Sequence, residues 1–306
     1  MASSQNRAVL ETALAIFLWA VSFIAIKIAL RELSPFTLIA VRFGVGSLIL
    51  AAAAAIRGEF RCFRKKDLLG MALVGFVGMT LQQSLQVSGQ ALADASVAAF
   101  LANTAPAFIV PVAALFLRES VGRVQVLGVV VATLGAGIIS TGGRLDFLTG
   151  GQLASPGSLL ILASAFVWAV FSVLSRRMTR DRPPILMTAG MMAFGCLFNL
   201  PAFLLTGGWQ EIPGLSPQGW VMLAYICFLS TAAAYLLYNH ALKQAPASRL
   251  AAIQNLEPLI ASAVAPWVLH EALTGGLLVG GAAIIAGTTL AERGAPTALE
   301  EPVRGD

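Results

Sequence analysis

The sequence predicts an all-α polytopic membrane protein: ten transmembrane helices in two inverted-topology five-helix repeats, with both termini cytoplasmic. Three observations lead there. Of the 306 residues, 58% are hydrophobic and 11% charged, and the mean hydropathy is +0.82. An average soluble domain carries roughly 25% charged residues, so this chain cannot cover its apolar surface with polar groups, and lipid must be its solvent. Second, Ala95, Ser96, Asn103, Pro106, Glu119, Gly128 and Gly135 recur without a gap as Ala247, Ser248, Asn255, Pro258, Glu271, Gly280 and Gly287. Such self-similarity marks an internal duplication of about half the chain. Third, the basic residues fall almost wholly on one side of the membrane.

Ten apolar runs can be read in order: 8–31, 36–57, 66–90, 95–117, 122–142, 156–178, 184–206, 216–240, 247–269 and 273–291. Each fits the roughly 20 residues that a helix needs to cross a bilayer. One set of connections and tails, from Arg7 and the Arg61 to Lys66 cluster through Arg182 to Arg304, holds all of the 20 basic residues except Lys27, Arg31, Arg42 and Arg144. The positive-inside rule makes that set cytoplasmic. Five spans per copy is an odd number, so the second copy must enter the membrane upside down. Glu119 then falls in a cytoplasmic loop and its counterpart Glu271 in an outer one. The expected organisation is a cytoplasmic tail (1–7), a first repeat (8–142), an outer linker (143–155), an inverted second repeat (156–291) and a second cytoplasmic tail (292–306). The localisation is multi-pass in the cell inner membrane. The first run is too long for a signal peptide and contains Glu11 and Lys27. Cys62, Cys196 and Cys227 are odd in number and lack metal spacing, so free thiols are expected.

Polar groups inside a bilayer are costly, and they usually face a bundle interior or a water-filled path. Gln82, Gln86 and Gln90 form one stripe on the third span; Thr231, Tyr235, Tyr238 and Asn239 form its counterpart on the eighth. Trp19, Ser22 and Phe23 cluster on the first span, and Trp168, Phe171 and Ser172 repeat them on the sixth. Aromatic rings beside a hydroxyl suit a solute with an apolar body and a polar end, although the same groups also serve as interhelical packing and hydrogen-bonding. Asn103 and Asn255 each precede a proline by three residues. Pro106 and Pro258 are therefore hinge candidates, and broken helices at matching places point to a transport site.

Glu257 is the acid at mid-span, opposite Ala105 in the first copy. It is a coupling candidate; the alternatives are cation recognition and a neutral carboxyl that holds the kink. Lys27 and Arg42 are expected nearer the outer surface, where they can snorkel, and Arg42 can also attract a substrate carboxylate. No Gly-Lys dipeptide exists, so there is no Walker A loop. The two histidines make no zinc-protease motif. The reading therefore includes no catalytic residue, no metal, no cofactor and no nucleic-acid partner. Its partners are the lipid bilayer and a small-molecule substrate, with the chain a monomer or a dimer.

Trp19-Ala20-Val21-Ser22-Phe23, Arg42-Phe43, and the twin blocks Asn103-Thr104-Ala105-Pro106 and Asn255-Leu256-Glu257-Pro258 resemble the EamA family of the drug/metabolite transporter superfamily. So does Tyr238-Asn239-His240-Ala241-Leu242. The resemblance covers nearly the whole chain. It implies alternating access that moves small metabolites, mostly outward, and within the family it suggests aromatic amino-acid exporters of the YddG type. The expected function is thus secondary export of amino acids, aromatic ones favoured, through a central cavity between the halves, driven by the solute's own gradient. Its rivals are a proton-coupled antiporter of drugs or cationic metabolites and, from other classes, a membrane sensor or an intramembrane lipid enzyme.

Overall fold

The computed structural model describes residues 2–117, 122–141, 155–179, 182–241 and 253–293. Several residues named above lie outside these: Glu119, Arg144, Leu242, Ala247, Ser248, Arg304, and most of the linker and of the C-terminal tail. The first span is the helix Ala2–Ala29, the second Pro35–Ile56 and the third Asp67–Leu92. The fourth is split into Ala95–Ala102 and Ala105–Leu117, and the fifth is Arg123–Ser140. In the second half the sixth span is Pro156–Thr179, the seventh Pro184–Leu205, the eighth Pro217–Ala241, the ninth Leu256–Leu269 and the tenth Gly275–Arg293. Nine of them are long and apolar enough to cross a membrane as described, and Leu256–Leu269 is shorter.

The spans pack as symmetry mates of one another. The fifth lies along the tenth, and the second along the seventh. The sixth packs on the third and fourth just as the first packs on the eighth and ninth. Glycines let the fifth and tenth spans touch backbone to backbone. A Cβ placed on Gly135 would lie 2.6 Å from the Gly280 carbonyl oxygen, and one on Gly280 would lie 2.7 Å from that of Gly135. Gly128 and Gly287 make the matching approach. Lipid cannot drive apolar surfaces together as water does, so small residues and close packing hold such helices.

Helix starts leave backbone N–H groups without intrahelical partners. Here carboxylates from other spans and loops accept them. Glu271 accepts from the Ala95 and Ser96 amides at 2.6 and 3.0 Å, and Glu211 from the Ser34 amide at 2.8 Å. On the cytoplasmic side Glu59 accepts from the Leu186 amide at 3.1 Å, and Arg182 pairs with Asp67 at 2.8 Å. Glu32 takes the Ser216 amide and hydroxyl, and those two bonds hold its carboxyl below the usual carboxylate range. A negative group at a helix N-terminus also meets the positive end of the helix dipole. These contacts join one half to the other at both membrane faces.

Two expectations need correcting. Arg42 does not snorkel. It is 6% exposed, and its guanidinium turns inward to Thr231, which by helical rise lies about 21 Å along the eighth span. The outermost glutamine of the stripe, Gln90, is 1% exposed, and its carbonyl accepts from Lys27 Nζ at 3.0 Å. The proline positions also shift the expected hinge. The fourth span breaks at Asn103–Thr104, and Pro106 sits in the first turn of the segment that follows, where its missing N–H costs nothing. Pro258 occupies the corresponding place at the start of Leu256–Leu269.

Candidate functional site

The eighth span supplies one wall of the site. Between Tyr225 and Ala233 it winds as a π-helix, and the third span does the same from Phe76 to Leu81. Wide turns of this kind free backbone groups and re-aim side chains. Trp19 Nε1 on the first span donates to the Ser230 carbonyl at 2.8 Å. The Trp19 ring meets Tyr235 edge-on at 5.4 Å between centroids and Tyr238 at 5.3 Å. Gln254 Nε2, just before the ninth span, donates to the Tyr238 hydroxyl at 2.7 Å. Three spans thus converge on one aromatic seam with polar edges.

A hydrogen-bonded chain runs beside it. Arg42 Nε donates to Thr231 Oγ1 at 2.7 Å and its Nη1 to Gln83 Oε1 at 3.4 Å. Gln83 Nε2 donates to Gln82 at 2.9 Å, and Gln82 Nε2 to Gln86 at 2.6 Å. Gln86 is left partly exposed. Among the described residues Arg42 forms no ion pair, a costly state for a buried cation unless a ligand or network compensates. Glu257 is partly exposed and has no hydrogen-bond or ion-pair partner among the described residues.

A third group lies at the helix breaks. Asn103 Nδ2 donates to Asn255 Oδ1 at 3.2 Å, so the two repeat-related asparagines meet each other. Asn255 also contacts Thr288 at 3.3 Å and Thr289 at 3.4 Å on the tenth span. The other expected residues are placed apart. Trp168 stacks at a tilt on Phe171, 5.1 Å away, and Phe171 is buried against Gly78. Ser172 donates within its own helix to the Trp168 carbonyl, and Asn239 likewise to that of Tyr235. Phe23 is 4% exposed in an apolar cluster with Ile24 and Ala95.

Sequence patterning alone passed over Gln83, Thr288 and the carboxylate caps. Two cavities lie away from the aromatic seam. One of about 260 Å³ is lined by Thr104, Phe108, Thr133, Ser140 and Leu162, and one of about 170 Å³ by Asp94, Ser96 and Glu271. Burial and then the neighbouring Glu271 charge push the Asp94 carboxyl up, with Lys27 opposing them. No cluster of His, Cys, Asp and Glu among the described residues could hold a metal ion.

Residues 6–141 and 155–292 each match the model of the EamA-like transporter family. A Streptantibioticus cattleyicolor protein named "Probable terminal-alkyne amino-acid exporter" is 30% identical, with 94% of each chain covered. A Salmonella typhimurium protein named "Probable amino-acid metabolite efflux pump" is 26% identical, covering 90% of this chain and 91% of its own. One crystal structure superposes with a TM-score of 0.63 over 94% of this chain and 96% of the other, at 22% identity. That last likeness is one of fold.

Proposed function

Because the chain belongs to the EamA-like transporter family of multi-pass membrane carriers, we propose that it exports amino acids, with aromatic ones preferred, by alternating access between its two halves. It is a transporter of small molecules and not an enzyme. The observation that carries the amino-acid reading is the seam of Trp19, Tyr235 and Tyr238 beside the Arg42, Thr231 and glutamine chain. Rings there would hold an apolar side chain, while the amides and the guanidinium hold a polar end. The names of the two relatives agree with that substrate class. The helix breaks at Asn103 and Asn255 serve as hinges, with the working halves bounded at 8–142 and 156–291 and Trp168 and Phe171 joining the path in another state. Solute binding selects among states that already exist.

Flux is driven by the solute's own gradient, since a proton relay usually strings several acidic or histidine groups across a bilayer, and among the described residues Glu257 is the one carboxyl group at mid-span. A second reading, proton-coupled export of cationic compounds, draws on that same unpartnered carboxylate. Purified protein in liposomes, offered a panel of amino acids and cationic drugs, separates the two. The expected result is saturable flux of phenylalanine, tyrosine and tryptophan. Flux of cationic drugs alone would reject the amino-acid reading.

A further inference from the structure

We propose that Arg42 and Glu257 form a two-point grip for a zwitterion. The guanidinium takes the carboxylate of an α-amino acid, the Glu257 carboxylate takes its ammonium group, and Trp19, Tyr235 and Tyr238 take the side chain. This deepens the amino-acid reading and rests on it.

The internal duplication sets both residues apart. The register that aligns Trp19 with Trp168 and Pro35 with Pro184 sets Arg42 against Met191; the register that aligns Asn103 with Asn255 sets Glu257 against Ala105. The same architecture is therefore built in the opposite half with a thioether and a methyl group at these places. A charge inside a membrane bundle costs far more than either. One guanidinium and one carboxyl group break the repeat at depth, and packing required neither.

Neither group has an ion-pair partner among the described residues. A guanidinium offers five donors, and Arg42 spends two of them on the neutral partners Thr231 and Gln83. Glu257 has no partner among the described residues, and no ion pair joins it to Arg42. Yet both sit against the aromatic face of the eighth span: Arg42 bonds Thr231, four residues before Tyr235, and Gln254, three residues before Glu257, bonds the Tyr238 hydroxyl. Had the two charges met, each would be satisfied and the pair would be structural. Held apart beside one aromatic group, the guanidinium needs a counter-charge and the carboxyl ionises at low cost only beside a cation, and the described residues provide neither. An α-amino acid carries both on a single carbon. Two charge-assisted bonds of about 2.8 Å plus roughly 3 Å within the solute would bridge groups about 8–9 Å apart. Thr231 and Gln83 fix the guanidinium fork, which suits two-pronged carboxylate binding.

The test uses the full chain in proteoliposomes and measures entry of labelled phenylalanine in exchange for unlabelled phenylalanine. Two competitors share its ring: phenethylamine lacks the carboxylate, and 3-phenylpropionate lacks the ammonium. In the wild type each should compete at least about 100-fold more weakly than phenylalanine, because each forfeits one charge-assisted contact. Arg42→Met and Glu257→Ala install the residues of the opposite half. Arg42→Met should erase the preference over phenethylamine and keep that over 3-phenylpropionate; Glu257→Ala should do the reverse. If Arg42→Met fails to fold, Arg42→Lys should retain the preference over phenethylamine at reduced affinity. Wild-type protein that accepts either analogue as well as phenylalanine overturns the grip while leaving amino-acid export standing. So do folded variants that retain both preferences. Wild-type protein that moves no amino acid overturns the proposed function, and the grip with it.

Discussion

In the first half Gly128 and Gly135 face the tenth span, and in the second half Gly280 and Gly287 face the fifth. Asn103 meets its own counterpart, Asn255. At depth, however, Arg42 has a methionine opposite number and Glu257 an alanine. Trp19 is anchored by a hydrogen bond to a π-helical carbonyl, whereas Trp168 lies on Phe171 with no such bond among the described residues. What is repeated makes the architecture: close helix contact, breaks and crossing points. What is not repeated is charge at depth and aromatic anchoring, which a symmetrical scaffold does not need and which the proposed solute contacts would use.

The sharpest way to break this contrast is at a repeated contact. Gly135→Val pushes a side chain to within 2.6 Å of the Gly280 backbone oxygen, where no flexible group can give way. We expect a loss of about 2–3 kcal/mol or more from overpacking, read as a large fall in melting temperature in detergent. Gly137→Ala, two residues on, meets nothing within 4 Å and should stay within about 0.5 kcal/mol of the wild type. Equal effects at the two glycines would mean that the fifth and tenth spans do not touch as described.

A smaller effect sharpens the comparison between the tryptophans. Trp19→Phe keeps a ring but loses the bond to Ser230, worth about 1 kcal/mol. It should lower amino-acid flux about five-fold, while Trp168→Phe should lower it less. A larger loss at Trp168 would place the substrate-facing seam on the sixth span instead of the first.

Much of the fold was legible because lipid imposes a simple rule: runs of about 20 apolar residues, with basic residues left on one side. The duplication was legible because Asn103, Pro106 and the glycines kept their identities. Other features depend on partners distant in sequence. Glu271 caps a helix 175 residues or more away, so a local search for capping pairs misses it. The π-helical turns before Gln82 and in front of Ala234 leave no composition signal, since their register is set by packing against neighbouring spans. Arg42 was misplaced for a simpler reason. Its side chain is long enough to reach the outer surface or Thr231, and only the position of the eighth span decides between them.

In the proposed mechanism, solute crosses between two inverted halves without help from another gradient. Its most direct test is exchange of labelled phenylalanine across liposomes holding the purified chain, with equal pH and equal ions on both sides. We predict saturable release that speeds up when unlabelled phenylalanine is added outside, as alternating access requires. Release that stays at the protein-free rate until a pH gradient is imposed would contradict the claim and make Glu257 a proton carrier.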